Sequence, residues 1–211
     1  MKRENDRTGR PFLVAIVGGS GSGKTWLADK LAVALAPHAT RLSLDDFYRD
    51  RSHLPAACRA TLNFDHPRAI DWTAIETVLR KCSQGRPVQL PCYDFQTHCR
   101  ASHSRILKPK PIIFMDGLWL LRRPSIRSLF AFSIFLDCSP RIRFSRRLAR
   151  DLRARGRTKA SVRKQFRETV EPMHRRYVAP QARFADIVLS GPCTRQDARR
   201  LAEILRMVAT P

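Results

Sequence analysis

The segment that most constrains this fold is a glycine-rich turn between an apolar run and an amphipathic pattern. Residues 12–17 are continuously apolar, as in a strand buried on both faces. Residues 24–36 carry apolar side chains at helical spacing, and Pro37 closes the pattern. The turn itself is Gly18-Gly19-Ser20-Gly21-Ser22-Gly23-Lys24-Thr25. It fits the phosphate-binding pattern G-x-x-x-x-G-K-[ST], and the predicted order of strand, turn and helix is the context that this pattern requires.

The chemistry of such a turn predicts a nucleoside triphosphate site formed by residues 18–25. Glycines allow successive backbone N–H groups to point at phosphate oxygens, and the helix N-terminus adds partial positive charge. We expect Lys24 to reach the β and γ phosphates and the Thr25 hydroxyl to bind Mg²⁺. Asp116 ends a later apolar run and is the first candidate for a second metal ligand, although Asp137 is placed similarly. Either carboxylate could instead cap a helix or shape a loop.

The rest of the chain alternates short apolar runs with amphipathic patterns. Residues 111–115, 130–136 and 185–189 predict buried strands, and residues 71–82, 140–155, 161–178 and 194–208 predict helices. This alternation is typical of an α/β fold, here a P-loop NTPase-type parallel sheet flanked by helices. Residues 88–108 predict a projecting β-hairpin. We expect a flexible basic arm at residues 1–11 and a single domain at residues 12–211.

Composition narrows the possible partners. The chain of 211 residues has 40 Lys plus Arg and 18 Asp plus Glu, a net charge of +22, which attracts any polyanion. Despite this charge, we expect no dedicated nucleic-acid partner. No apolar run approaches the length of a membrane span, and the start lacks a secretory apolar region. The six cysteines form no C-x-x-C pair, so we expect a cytoplasmic protein with reduced thiols and no membrane contact.

Four more motifs accompany the phosphate loop. They are LSLDDFYR at residues 42–49, NFDHP at 63–67, PCYDFQTHCR at 91–100 and RDLRARGR at 150–157. In this order and at these intervals, the five motifs closely resemble the uridine kinases of the phosphoribulokinase and uridine kinase family. The similarity covers about residues 12–191, and the hairpin motif Tyr-Asp-Phe-x-x-His-x-Arg is its most discriminating part.

The resemblance implies an enzyme that transfers the γ-phosphoryl group of ATP or GTP to the 5′-hydroxyl of uridine or cytidine. Such a transfer needs an in-line hydroxyl, a group that orients it or accepts its proton, and cations on the transferred charge. By family position Asp45 is the group that orients and deprotonates the hydroxyl, and Asp46 is expected to point elsewhere. Lys24, Arg150 and Arg155 are the implied catalytic cations.

The resemblance also implies how a nucleoside is held. Phe64 and Phe95 would sandwich the base, Tyr93 and His98 would bond its edge, and Tyr48 would line the pocket. The implied ribose contacts are Asp65, Arg147 and Gln165.

A mobile lid is implied at residues 147–165. Arg150, Arg155 and Arg157 would lie on it and close over the substrates. We expect the remaining arginines of this region to lie on solvated helix faces, namely Arg141, Arg143, Arg146, Arg153 and Arg163. The resemblance further implies a homotetramer. One departure is Asp116, where the family usually has Glu, so the metal geometry is expected to differ slightly.

Two other functions stay open at this point. A sister kinase could act on another small alcohol, such as ribulose 5-phosphate, pantothenate or nicotinamide riboside, although the hairpin motif argues against it. A non-catalytic regulator that binds nucleotides or nucleic acid would explain the charge of +22. It would not explain why Lys24, Thr25, Asp45 and His98 occur together.

Overall fold

The computed structural model describes residues 10–154 and 156–209. Its strands in chain order are β1 (Phe12–Gly18), β2 (Ala39–Ser43), β3 (Val88–Asp94), β4 (Cys99–Leu107), β5 (Ile112–Gly117), β6 (Phe132–Asp137) and β7 (Ile187–Ser190). Five of them form a parallel sheet in the order β2-β5-β1-β6-β7. The other two, β3 and β4, pair antiparallel as a separate hairpin. The predicted α/β class and the predicted hairpin are confirmed.

Helices cover both faces of the sheet. They are α1 (Lys24–Ala34), α2 (Ala56–Ala60), α3 (Trp72–Ser83), α4 (Pro124–Arg127), α5 (Pro140–Ala154), α6 (Lys159–Gln165), α7 (Glu171–Met173) and α8 (Arg195–Ala209). Val14 and Ile16 of β1 share a buried cluster with residues of α1 and α8. Their neighbours on β1 belong to a second cluster that includes α3. Because successive strand residues point to opposite faces, burial on both faces explains the continuous apolar run of β1.

The last helix begins as its sequence predicts. The Asp197 N–H donates to Thr194 Oγ1 at 3.1 Å, and the Thr194 N–H donates to Asp197 Oδ2 at 2.8 Å. This reciprocal capping box satisfies two backbone donors and fixes the start of α8.

The segment predicted as one helix over residues 161–178 is more irregular than its sequence pattern indicated. α6 is followed by a π-helical turn at Phe166–Val170, then α7, then a second π-helical turn at His174–Val178. Pro172 lies inside this segment and cannot donate a helical hydrogen bond, and π turns accommodate such interruptions. Hydrophobic periodicity does not reveal π-helical turns of this kind.

The carboxyl ends of the parallel strands bring the predicted functional residues to one edge of the sheet. The phosphate loop follows β1, Asp45 follows β2, and Asp116 lies in β5 opposite Ser43 of β2 and Ile16 of β1. Ligands of open α/β sheets bind at this edge. The predicted arm at residues 1–11 lies outside the described residues except for Arg10 and Pro11. Within the described ranges, no helix combines the length and the apolar character that a membrane span needs.

Candidate active site

The phosphate loop has the backbone conformation that its glycines predict. Gly21 and Gly23 have φ angles of +82° and +102°, in a region that other residues rarely adopt. A Cβ on Gly21 would also collide with the carbonyl oxygen of Arg143. Lys24 Nζ donates to the carbonyl oxygen of Gly19 at 2.9 Å, so the lysine side chain folds over the loop. The loop is therefore shaped to surround an anion with N–H groups and one amine.

Burial sets the charge of the Lys24 amine. Removal from water lowers its pKa to about 8, and the nearby carboxylates of Asp116 and Asp45 offset this only in part. The amine is therefore charged at neutral pH, but less strongly held in that form than an exposed lysine. An anionic ligand at the loop would stabilise the charged form further.

Thr25 and Asp116 meet at the base of the loop, as a metal site requires. The Thr25 hydroxyl donates to Asp116 Oδ2 at 2.9 Å, and Asp116 is only 4% exposed. Arg41 Nε binds the other carboxylate oxygen at 2.8 Å and extends to Asp29 at 3.0 Å. Hydroxyl and carboxylate oxygens are hard ligands of the kind that Mg²⁺ prefers, so the donor set fits this ion. Arg41 is a neighbour that the sequence motifs did not indicate.

The two acids that follow β2 point to different partners. Asp46 Oδ2 accepts from Arg105 Nη2 of β4 at 2.9 Å. Asp45 lies next to it in a 3-10 turn (Leu44–Phe47). Its charge raises the pKa of Lys24 and so offsets part of the lowering that burial causes. Of the two acids, Asp45 is therefore the one that interacts electrostatically with Lys24 of the phosphate loop, and Asp46 ties the turn to the hairpin.

The predicted base-binding rings form one cluster. Tyr48 lies at its centre, with ring centroids 5.7 Å from Phe64, 5.1 Å from Tyr93 and 6.2 Å from Phe95. Phe64 stacks on His98 at 4.5 Å with an interplanar angle of 15°. His98 has a φ of +56°, an uncommon backbone conformation that clusters at functional sites. The structure brings all five rings together, with Phe64 paired here to His98.

Tyr93 carries a polar atom that suits a ligand. Its Oη is buried and finds no hydrogen-bond partner among the described residues. Burial is the main reason that the pKa of this phenol is raised to about 12, so the group stays protonated. A buried hydroxyl without a partner is costly, and a polar ligand at the aromatic cluster would satisfy it.

Arg147 connects the phosphate loop with the predicted ribose residues. Its guanidinium donates to Ser20 Oγ at 2.9 Å and to Gln165 Oε1 at 3.0 Å. It also forms ion pairs with Asp65 at 3.5 Å and Asp151 at 3.3 Å. Asp65, Arg147 and Gln165, the residues that the resemblance implies as ribose contacts, therefore lie together.

The lid cations are organised by a buried acid that sequence reasoning missed. Asp151 has no exposed surface and accepts from Arg150 Nε at 2.9 Å as well as pairing with Arg147. Arg157 donates to Gln165 Oε1 and, at 3.0 Å, to Ser161 Oγ. The spacing of four residues between Arg147 and Asp151 was the available signal. Arg155, the remaining predicted lid cation, lies outside the described residues.

Arg143 contradicts the prediction of a solvated position. It is 1% exposed, and its guanidinium binds Glu171 Oε2 at 2.6 Å and the carbonyl oxygen of Cys138 at 2.9 Å. The partner Glu171 lies in α7 and makes this burial tolerable, since a buried charge needs a counter-charge. Because that contact is 28 residues distant, the pattern of α5 alone could not indicate it.

The sequence resembles those of known proteins over most of its length. A sequence profile described as Phosphoribulokinase / Uridine kinase family matches residues 13–196. A protein named Uridine kinase from Deinococcus deserti is 36% identical over 181 residues, covering 85% of this chain and 87% of the relative. Another with the same name, from Lactobacillus helveticus, is 37% identical over 182 residues and covers 85% and 86%.

A solved structure supports the fold in particular. Phosphoribulokinase from Rhodobacter spheroides superposes with a TM-score of 0.65 at 17% identity, covering 87% of this chain and 71% of the other. At such identity the likeness concerns the fold. The profile, in contrast, spans most of the sequence, and each of the two relatives matches 85% of this chain. The chain therefore belongs to the phosphoribulokinase and uridine kinase family.

Proposed function

We propose that this protein is a nucleoside kinase that transfers the γ-phosphoryl group of ATP or GTP to the 5′-hydroxyl of uridine or cytidine. The observation that carries the proposal is the cluster of Tyr48, Phe64, Tyr93, Phe95 and His98 beside the turn that holds Asp45. Flat apolar faces with a few polar groups suit a pyrimidine. The names of the relatives point to the same substrate class.

Each part of the site has a role in this proposal. Phe64 and Phe95 bind the faces of the base, and Tyr93 and His98 bond its edge, with Tyr48 behind them. A neutral histidine donates or accepts according to its tautomer, which suits both uracil and cytosine. Asp65, Arg147 and Gln165 hold the ribose hydroxyls, supported by Arg157.

The transfer itself is a proton and phosphoryl exchange at the 5′ oxygen. Asp45 accepts the hydroxyl proton as the oxygen forms its bond to the γ phosphorus and the bond to the nucleoside diphosphate breaks. Lys24, Arg150 and Arg155 balance the charge on the phosphoryl oxygens. When Mg²⁺ is bound, Thr25 and Asp116 would hold it, and it would supply further charge stabilisation.

A panel of acceptors tests the substrate assignment. Purified protein with Mg-ATP is offered uridine, cytidine, adenosine, 2′-deoxyuridine, ribulose 5-phosphate and pantothenate, and nucleotide products are separated by chromatography. We expect turnover of uridine or cytidine and weak turnover of 2′-deoxyuridine, because a missing hydroxyl leaves buried polar groups unpaired. Turnover confined to ribulose 5-phosphate or pantothenate would contradict the proposal.

A further inference from the structure

Two side chains outside the predicted site press directly on the phosphate loop. A Cβ on Gly19 would lie 2.7 Å from Arg143 Cδ and 2.8 Å from His174 Nδ1, closer than real Cβ contacts allow. Arg143 Nη1 lies 3.0 Å from the same point. Arg143 and His174 therefore meet at the backbone of Gly19, on a face of the loop that only glycine leaves open.

The position of Arg143 is set by Glu171. Their 2.6 Å ion pair is almost fully buried on the arginine side. Although burial opposes it, hydrogen bonds from Arg143 and Arg175 lower the pKa of Glu171, so the acid stays ionised. Such a pair holds its members in place, since loss of either partner would leave a buried charge uncompensated.

His174 completes the contact as a neutral ring. Burial and then the Arg143 charge lower its pKa to about 4, and Lys24, Glu171 and Asp137 are the other charged groups that face it. Its Nδ1 is buried with no hydrogen-bond partner among the described residues. The ring also lines a small cavity with Ser20, Asp65 and Trp119, between the loop and the ribose residues. The imidazole thus packs against the loop without adding a third positive charge.

The irregular helical segment carries both Glu171, which binds Arg143, and His174, which contacts the loop at Gly19. Glu171 and His174 are three residues apart, which places them on one side of a helix. The π turns at Phe166–Val170 and His174–Val178 flank and include them. Single π turns often occur at functional sites, where they redirect a side chain.

We infer that Arg143, Glu171 and His174 are positioning residues that hold Gly19 and Gly21 in the conformation that receives the nucleotide phosphates. They act through the loop backbone and do not touch the nucleoside. This inference rests on the proposed function in treating the loop as the phosphate-donor site. Its specific consequence is that substitution of these residues weakens binding of the phosphate donor and leaves binding of the nucleoside acceptor unchanged.

Three variants test the inference. Glu171→Gln keeps the shape of the acid, and His174→Phe keeps a ring of similar size. Arg175→Met is the matched control, because Arg175 binds the same Glu171 at 3.0 Å but is 76% exposed. Calorimetry measures the Kd of a non-hydrolysable ATP analogue, and steady-state assays measure the KM of uridine.

We expect the first two variants to weaken analogue binding by about tenfold with the uridine KM changed less than about twofold. The control should match the unaltered protein in both quantities. Unchanged analogue binding, or equal loss for analogue and uridine, would overturn the inference. If the unaltered protein binds the analogue but phosphorylates no nucleoside, the proposed function fails, and the ratio of analogue Kd values alone decides this inference.

Discussion

At the scale of single residues, the site depends on a few buried polar atoms whose state follows from their surroundings. Lys24 Nζ is held by the Gly19 carbonyl, and Tyr93 Oη has no partner among the described residues. Each of these atoms is costly to bury alone and gains from a ligand. The pH dependence set by Lys24 and the stability effect of the Tyr93 hydroxyl therefore test ligand binding without a need for turnover.

The Lys24 amine makes donor binding depend on pH. Its pKa in the folded protein is lowered from 10.5 to about 8, so the amine loses its charge as the pH rises through about 8. Phosphate binding favours the charged amine, and the affinity should fall by up to about tenfold per pH unit above that value. Calorimetry with a non-hydrolysable ATP analogue between pH 7 and 9.5 measures this. The Lys24→Arg variant keeps its charge and should show a flat profile, and a flat profile in the unaltered protein would contradict the account.

The same shift has a defined sign for folding. Because the folded pKa lies below the unfolded value, the unfolded chain binds more protons between about pH 8 and 10.5. The lysine therefore costs stability below this window, and the cost disappears as the pH rises through it.

Removal of the Tyr93 hydroxyl should separate binding from stability. The Tyr93→Phe variant deletes a buried hydroxyl that has no partner among the described residues, so its stability in urea denaturation should be unchanged or higher. If the hydroxyl bonds the base, the KM of uridine should rise about tenfold or more. Loss of stability together with an unchanged KM would show that the hydroxyl serves the fold and not the ligand.

At the scale of elements, the hairpin and the lid are held to the sheet by different means. Arg100 of β4 donates to the Tyr48 carbonyl oxygen at 3.0 Å and pairs with Asp71 at 3.1 Å. The lid depends on α5, where Asp151 gathers Arg147 and Arg150. The aromatic cluster is thus held by the hairpin, and the proposed ribose and phosphate contacts are held by α5 through Asp151.

The buried acid of the lid should matter far more than an exposed one. Asp151→Asn removes the negative charge between two arginines in a fully buried position, and we expect a loss of about 3 kcal/mol in the free energy of unfolding. Glu168→Gln is the control, because its pair with Arg167 is exposed and should change stability by less than about 0.5 kcal/mol. Urea denaturation of both variants measures the difference. Similar losses in the two would mean that Asp151 does not organise the lid.

Sequence patterns predicted the elements that local chemistry determines. The phosphate loop is a continuous motif, and the hairpin consists of two extended stretches around a polar middle, so both were found at the expected residues. Arg143 was placed in solvent because α5 is rich in arginine, and its burial depends on Glu171, which is distant in sequence. His174 was missed for the same reason, since its contact with Gly19 exists only in the folded chain. Long-range partners decide which charged residues of an arginine-rich helix are buried.

At the scale of the whole molecule, we expect the net charge of +22 to act independently of the specific site. Part of the charge belongs to the site, in Lys24 and the lid arginines. The remainder gives the surface a general attraction for polyanions. An uncharged nucleoside does not respond to that field.

The salt concentration should therefore affect polyanion binding strongly and nucleoside binding little. The affinity for random-sequence RNA should fall by about 10³ or more between 50 and 200 mM salt, because it depends on counterion release. The KM of uridine should change less than about twofold over the same range. Filter binding and steady-state assays measure the two quantities. RNA binding that resists salt and prefers one sequence would reveal a dedicated nucleic-acid partner, contrary to expectation.

In the proposed reaction, Asp45 directs phosphoryl transfer to a nucleoside bound at the aromatic cluster. The most direct test compares kcat for uridine in the unaltered protein and in Asp45→Asn, with the Kd of a non-hydrolysable ATP analogue measured in both. Asp46→Asn is the matched control, because that neighbour binds Arg105 instead. We expect Asp45→Asn to lower kcat by about 10²-fold or more with analogue binding retained, and the control to keep its activity. Equal activity of Asp45→Asn and the unaltered protein would contradict the account.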